Sequence, residues 1–155
     1  MAPVIVYFDG ICEAARPGGR RNPGGIACGG YFIPARPDVP GLEEGIRSGA
    51  FFVEGDEATN NVAEYLAAHL ALMRLAKIGY SGPVVLRGDS QLVIRQVNGE
   101  WRVNDPRLAK LRDGLLDCAR AFSSFRAEWV PREQNEEADA ASREAYEEAK
   151  RQRNA

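Results

Sequence analysis

Four acidic residues in this 155-residue chain stand where a carboxylate needs a reason. Asp9 closes the apolar run Val4-Ile5-Val6-Tyr7-Phe8, and Asp89 closes a second run, Pro83-Val84-Val85-Leu86-Arg87-Gly88. Unbroken apolar runs rich in β-branched and aromatic residues read as strands buried on both faces. An ionised acid at the end of such a strand costs free energy unless hydrogen bonds, a turn or a cation compensates. Glu64 and Asp139 fall in the first turns of two predicted helices, where the dipole favours negative charge. Taken singly, each acid has an ordinary explanation. Packed together without cations, the four would repel and raise one another's pKa. With hard divalent cations they become an oxygen-only ligand set of the kind magnesium takes. No Ser-His-Asp or Cys-His arrangement supplies a protein nucleophile. The three cysteines (Cys12, Cys28, Cys118) form no CxxC pair and fit neither a zinc site nor a disulfide framework.

Whether the acids meet depends on the elements between them. Asp9-Gly10 is also a hairpin signal, but the next apolar run begins only at Gly25, too far for a two-residue turn. Residues 11–24 are rich in Gly and Pro and read as a loop. Its Arg16, Arg20 and Arg21 are either solvated or a phosphate-contacting group. Strands at 25–33 and 48–54 follow, and the first three strands predict an antiparallel meander. Thr59-Asn60-Asn61 offers capping side chains for a helix over 62–78, with Val62, Leu66, Leu70 and Met73 on one apolar face and Gly79 closing it. On another face Glu64 has only Ala67, Ala68 and Ala71 beside it. Small side chains there let the helix sit close to the sheet and bring Glu64 near Asp9.

The strand ending at Asp89 is followed by a short helix, 91–97, capped by Ser90. Asp105, with Pro106 in the first turn, opens a helix to about residue 122. A strand at 125–130 leads to a last helix from 136 to about 152, with Asn135 as the expected cap. Helical crossovers are right-handed, so the fourth and fifth strands run parallel to the first. The fold class is therefore α/β: a five-stranded mixed sheet, strands 1–3 antiparallel and strands 4 and 5 parallel to 1, flanked by helices. Ligands in such sheets gather at the carboxyl ends of parallel strands. Asp9 and Asp89 both stand there.

The length favours a single domain over 1–155. A composition 45% hydrophobic and 27% charged suits a packed core and excludes a disordered chain. No apolar run approaches the roughly 20 residues of a membrane span, and the N-terminus shows no signal-peptide pattern. The expected setting is a reducing cytoplasm, with no membrane partner and a monomer as the default. A net charge of -2 provides no overall basic field for nucleic acid, which counts against such a partner.

Four segments weigh on the other side. Phe8-Asp9-Gly10, Thr59-Asn60-Asn61-Val62-Ala63-Glu64-Tyr65, Gly88-Asp89-Ser90-Gln91 and Gln134-Asn135-Glu136-Glu137-Ala138-Asp139 resemble the four motifs of type 1 ribonuclease H. The resemblance covers nearly the whole chain, in the family's order. It implies the ribonuclease H-like fold and endonucleolytic hydrolysis of the RNA strand of an RNA/DNA hybrid, leaving 5′-phosphate and 3′-hydroxyl ends. By match to the motifs, Asp9, Glu64, Asp89 and Asp139 bind two Mg2+ ions, for which Mn2+ can substitute, with Asp9 bridging. Gly10, Thr59, Asn60, Asn61 and Gln91 match substrate-contacting positions, and Asn22 resembles a further groove-contacting asparagine. Amide and hydroxyl side chains suit a minor groove lined with acceptors and 2′-hydroxyls. The cap-type side chains of Thr59-Asn60-Asn61 also have a plain capping role.

Two departures from the family stand out. The loop before the last helix, Val130-Pro131-Arg132-Glu133-Gln134, lacks the histidine that many members carry. Arg132 is its nearest substitute, able to orient phosphate or help product leave but never a general base. His69, the one histidine, lies round from the face of Glu64 and reads as structural. The lysine- and arginine-rich handle of some members is also missing. Residues 98–106 carry only Arg102 as a cation, with Trp101 beside it, which predicts weak, salt-sensitive hybrid binding. A non-catalytic hybrid-binding module on the same fold is the alternative. A 3′–5′ exonuclease of related fold wants an acid two residues after Asp9, where this chain has Ile11.

Overall fold

A computed structural model describes residues 1–14 and 25–153. The arginine loop, with Arg16, Arg20, Arg21 and the candidate Asn22, lies outside the described residues. Strands β1 (Val4–Ala14), β2 (Gly25–Ile33), β3 (Ile46–Gly55), β4 (Pro83–Gly88) and β5 (Ser124–Trp129) form one sheet in the order β3-β2-β1-β4-β5. The first three are antiparallel neighbours, whereas β4 pairs parallel with β1 and β5 parallel with β4. This is the predicted mixed sheet. Helices α1 (Asn60–Lys77), α2 (Gln91–Val97), α3 (Pro106–Ala119) and α4 (Glu136–Arg153) complete the fold.

The caps follow the chemistry of their side chains. Thr59 Oγ1 accepts from Val62 N–H at 3.1 Å, Ser90 Oγ from Val93 N–H at 3.3 Å, and Asp105 Oδ1 from Arg107 N–H at 2.8 Å. Each satisfies a helix-start donor that has no partner within its helix. Gly79, at φ +92°, ends α1 in the left-handed region that favours glycine. Asn135 departs from expectation. Its carbonyl accepts the Asp139 N–H, but its side chain turns into the sheet, where Nδ2 donates to Phe8 O at 2.9 Å.

β1 also differs from the reading of its sequence, because it continues through Gly10 to Ala14. Ile11 to Ala14 pair in register with Cys28 to Gly25, so β2 supplies backbone partners for a segment whose own composition reads as loop. Parallel pairing with β4 stops earlier, at Tyr7↔Arg87. Asp9 therefore stands just past the end of the parallel ladder, in mid-strand.

One core joins Val4, Val6 and Phe8 of β1, Leu72 and Leu75 of α1, Leu86 of β4 and Leu115 of α3. Fully burying each such side chain contributes about 1.5–3 kcal/mol. The buried residues of α1 are Val62, Ala63, Glu64, Tyr65, Ala67, Ala68, Ala71, Leu72 and Leu75; of the expected apolar face Val62 is buried and Met73 is exposed. Alanines at 63, 67, 68 and 71 let α1 lie low on the sheet, while Tyr65, Leu72 and Leu75 fill the core beside them. Successive residues of β2 face opposite sides, and here two glycines serve two helices. A Cβ on Gly29 would sit 2.7 Å from Ala67 Cβ of α1, and one on Gly30 2.4 Å from Ser142 N of α4. Arg47 of β3 fastens α4 on its side by ion pairs to Glu137 and Glu144. Among the described residues no helix is long and apolar enough to cross a membrane.

Candidate active site

β1, β4, α1 and α4 bring their acids to one place. Oxygens of Asp9, Glu64 and Asp89 all lie within 4.8 Å of one another. Asp139 lines the same open cleft of about 550 Å³, close enough to Asp9 to help raise its pKa. Gly10 makes the approach possible. A Cβ there would lie 2.4 Å from the Glu64 nitrogen and 2.5 Å from the Ala63 carbonyl carbon, so only glycine lets α1 lie against β1 at this point. The Gly10 N–H donates to Asp9 Oδ1 at 3.0 Å.

Burial dominates the electrostatics. Asp9 is 7% exposed, and desolvation, helped by the charges of Asp89 and Asp139, pushes its pKa up to about 8. Glu64 is raised well above the carboxylate range by desolvation and then by Asp9 and Asp89. Asp89 is raised too, chiefly by burial, while the Arg132 charge and a hydrogen bond from Asn135 pull the other way. Glu64 Oε2 is buried without a hydrogen-bond partner among the described residues. Such an orphaned acceptor ordinarily carries a desolvation cost of about 1–3 kcal/mol. A cluster of buried acids, one oxygen of which has no donor, fits a divalent cation.

The surroundings hold these groups in place. Asn135, 1% exposed, ties α4 to β1 through Phe8 O, next to Asp9, and reaches Asp89. The Trp129 indole N–H donates to Asp89 O at 3.1 Å from the end of β5. Asn60 Oδ1 accepts the Cys12 N–H at 3.0 Å, pinning β1 beyond Gly10 to the start of α1.

Of the residues expected at the site, Asp9, Gly10, Asn60, Asn61, Glu64, Asp89, Arg132 and Asp139 line the cleft. Thr59 and Gln91 do not: Thr59 is spent on its cap, and Gln91 Oε1 accepts from Arg95 at 3.2 Å. Arg143 also lines the cleft and was not foreseen. Its spacing four residues after Asp139 on a helix was the signal, and it pairs with Asp139 at 3.2 Å. His69 sits away from the cleft, buried enough to lower its pKa, beside Gly114 in the α1–α3 packing. Residues 98–105 run directly from α2 to α3 with no inserted helix, and Trp101 there stacks under the Arg95 guanidinium at 5.4 Å.

A mixed sheet that gathers carboxylates from its two central strands and two packed helices defines a ribonuclease H-like domain. The profile of the family described as Reverse transcriptase-like matches residues 43–145. Ribonuclease HI of Halobacterium salinarum is 36% identical over 94% of this chain, and the crystal structure of RNase H1 from that archaeon superposes with TM-score 0.75, covering 95% of this chain and 99% of that one. The N-terminal RNase H domain of Rv2228c from Mycobacterium tuberculosis is 31% identical, with TM-score 0.75 over 98% of this chain and 99% of that chain. LC11-RNase H1, solved in complex with an RNA/DNA hybrid, is 29% identical over 94% of this chain and 98% of that one, with TM-score 0.75. The chain belongs to the type 1 ribonuclease H family. It spans 65% of the length of the Halobacterium protein and 36% of that of Rv2228c.

Proposed function

We propose that this chain is a metal-dependent endonuclease that cuts the RNA strand of RNA/DNA hybrids, leaving 5′-phosphate and 3′-hydroxyl ends. The observation that carries the reading is the set of acid oxygens within 4.8 Å, one belonging to the buried Glu64, whose Oε2 has no donor among the described residues. Family membership and the hybrid bound to LC11-RNase H1 support the substrate class. Asp9, Glu64, Asp89 and Asp139 would hold two Mg2+ ions. When bound, such ions lower the pKa of water and offset charge at the reacting phosphate.

The residues around the acids divide the remaining work. Buried on β1 and α1, Asp9 and Glu64 keep a fixed geometry, so no reorganisation is needed as charge builds up. Arg132, beside Asp89, orients phosphate and helps the product leave; its charge is permanent, so it moves no proton. Asn60 spends its Oδ1 on Cys12, which leaves Nδ2 as a donor toward minor-groove acceptors. Asn61 lines the same edge. Gly10 lines this edge, Thr59 and Gln91 are further candidate substrate contacts by their match to the family's motifs, and Asn22 remains a candidate contact outside the described residues. We place the protein in the cytoplasm as one domain, acting as a monomer.

The test is cleavage of an end-labelled hybrid beside matched RNA, DNA and double-stranded RNA, with Mg2+, Mn2+ or chelator. Cuts within the RNA strand of the hybrid alone, lost on chelation and in Asp9→Asn, are expected. Tight hybrid binding with no cleavage at any metal concentration would instead make the chain a binding module.

A further inference from the structure

Arg143 lines the cleft as a cation to which neither the four acids nor the substrate edge gives a task. Its Nε donates to Asp139 Oδ2 at 3.2 Å, and among the described residues Asp139 is its one ion-pair partner. The arginine side chain is 50% exposed and the aspartate 27%, and both line the cleft that holds Asp9, Glu64 and Asp89. Asp139 thus faces two claims at once. Its carboxylate lies close enough to Asp9 to help raise that acid's pKa, and its Oδ2 accepts from a guanidinium at the rim. A lone pair directed at Arg143 is not directed at a cation, and a fixed positive charge beside the cluster repels any dication entering it.

We infer that Arg143 is a resident counter-ion for the metal-free cleft: divalent cations must displace it from Asp139, and the released guanidinium then meets a phosphate of the hybrid backbone. The inference rests on the reading of the cleft as a cation site. Arginine suits the exchange, since its planar fork of donors serves carboxylate and phosphate alike. Two other roles make different predictions. A mere surface ion pair at i,i+4 would leave metal affinity untouched. A guanidinium that holds Asp139 in its ligating position would make metal binding weaker when removed.

The experiment is calorimetric titration of Mn2+ into the full chain without nucleic acid, for the unmodified protein, Arg143→Gln and Arg143→Lys. Arg143→Gln is expected to bind Mn2+ about three- to tenfold more tightly, the size of one screened unit charge beside a dication. Arg143→Lys, which keeps the charge, is expected within about twofold of the unmodified chain. Hybrid binding measured by fluorescence anisotropy with Mn2+ present, on a hybrid whose RNA strand is chemically resistant to cleavage, over a range of salt gives the second readout. There Arg143→Gln should bind more weakly and its log–log salt slope should fall by about one. Unchanged or weaker Mn2+ binding in Arg143→Gln overturns the counter-ion role, and an unchanged salt slope overturns the phosphate role. Failure of the unmodified chain to bind Mn2+ would instead refute the cation site itself.

Discussion

Replacing Asp9 by asparagine should stabilise the metal-free protein while destroying its activity. The carboxyl of Asp9 has its pKa moved from 3.8 to about 8, mainly by burial and then by its acidic neighbours. An acid whose folded pKa lies above its unfolded value takes up protons on folding, so the metal-free fold loses stability as pH rises between those limits. Each pH unit is worth about 1.4 kcal/mol, so by pH 7 the charge-burial cost at Asp9 amounts to about 4 kcal/mol. Protons in the cluster are shared among its carboxyls, and removing one of them returns roughly half, or about 2 kcal/mol. For a domain of this size that is about 4–8 °C in Tm. Thermal unfolding from pH 4.5 to 8 in chelator measures it. The Asn variant should melt above the unmodified protein at pH 8, and the gap should close toward pH 4.5. Added Mg2+ or Mn2+ should raise the Tm of the unmodified chain and leave the variant unmoved, because ligand that binds only the folded state stabilises by mass action. A variant that melts below the unmodified protein in chelator at pH 8, yet still gains stability from metal, would refute the account of the cluster.

Three further outcomes follow from the geometry. Gly10→Ala places a methyl 2.4 Å from the Glu64 nitrogen, and since both sides of that contact are backbone the helix must move; a loss of about 3 kcal/mol in urea unfolding is expected, together with loss of cleavage. Tyr65→Phe removes the hydroxyl that donates to the buried Gln96 Oε1 at 2.7 Å; urea unfolding should show a cost of about 1–3 kcal/mol, with turnover unchanged below the transition. Arg132→Gln removes a charge that opposes the burial-driven rise of the Asp89 pKa, so the acid limb of the pH–rate profile should move to higher pH while turnover falls by roughly tenfold, the worth of one charged hydrogen bond.

The strands that end at acids were legible because unbroken runs such as Val4 to Phe8 admit few other readings. The helix starts were legible because Thr59, Ser90 and Asp105 each carry an acceptor ahead of an apolar period. What the sequence concealed was pairing and proximity. Ile11 to Ala14 hold as strand only because Cys28 to Gly25 lie opposite them, and nothing local signals that partnership. Asn135 has the position and chemistry of a cap because it precedes a helix, but the buried Phe8 carbonyl, 127 positions away in sequence, claims its side chain. Met73 matches Val62, Leu66 and Leu70 in apolar character, but it is 53% exposed, whereas its helix neighbours Leu72 and Leu75 are fully buried, so character alone does not identify the inward direction.

Size accounts for the site. Glu64 reaches Asp9 because Gly10, Ala63 and Ala67 leave α1 almost no side-chain layer above β1, and Asp139 reaches it because Gly30, Ala138 and Ala141 do the same for α4. A glycine is a poor strand residue, weakening a strand in isolation, so its presence at positions 10, 29 and 30 of this sheet runs against local propensity. The contradiction resolves only when both helices are in place. A methyl group at Gly30 would press on the Ser142 nitrogen and the Ala138 carbonyl oxygen, lifting the turn that carries Asp139. The acids name the chemistry, but the absent side chains set the distances at which that chemistry can take place.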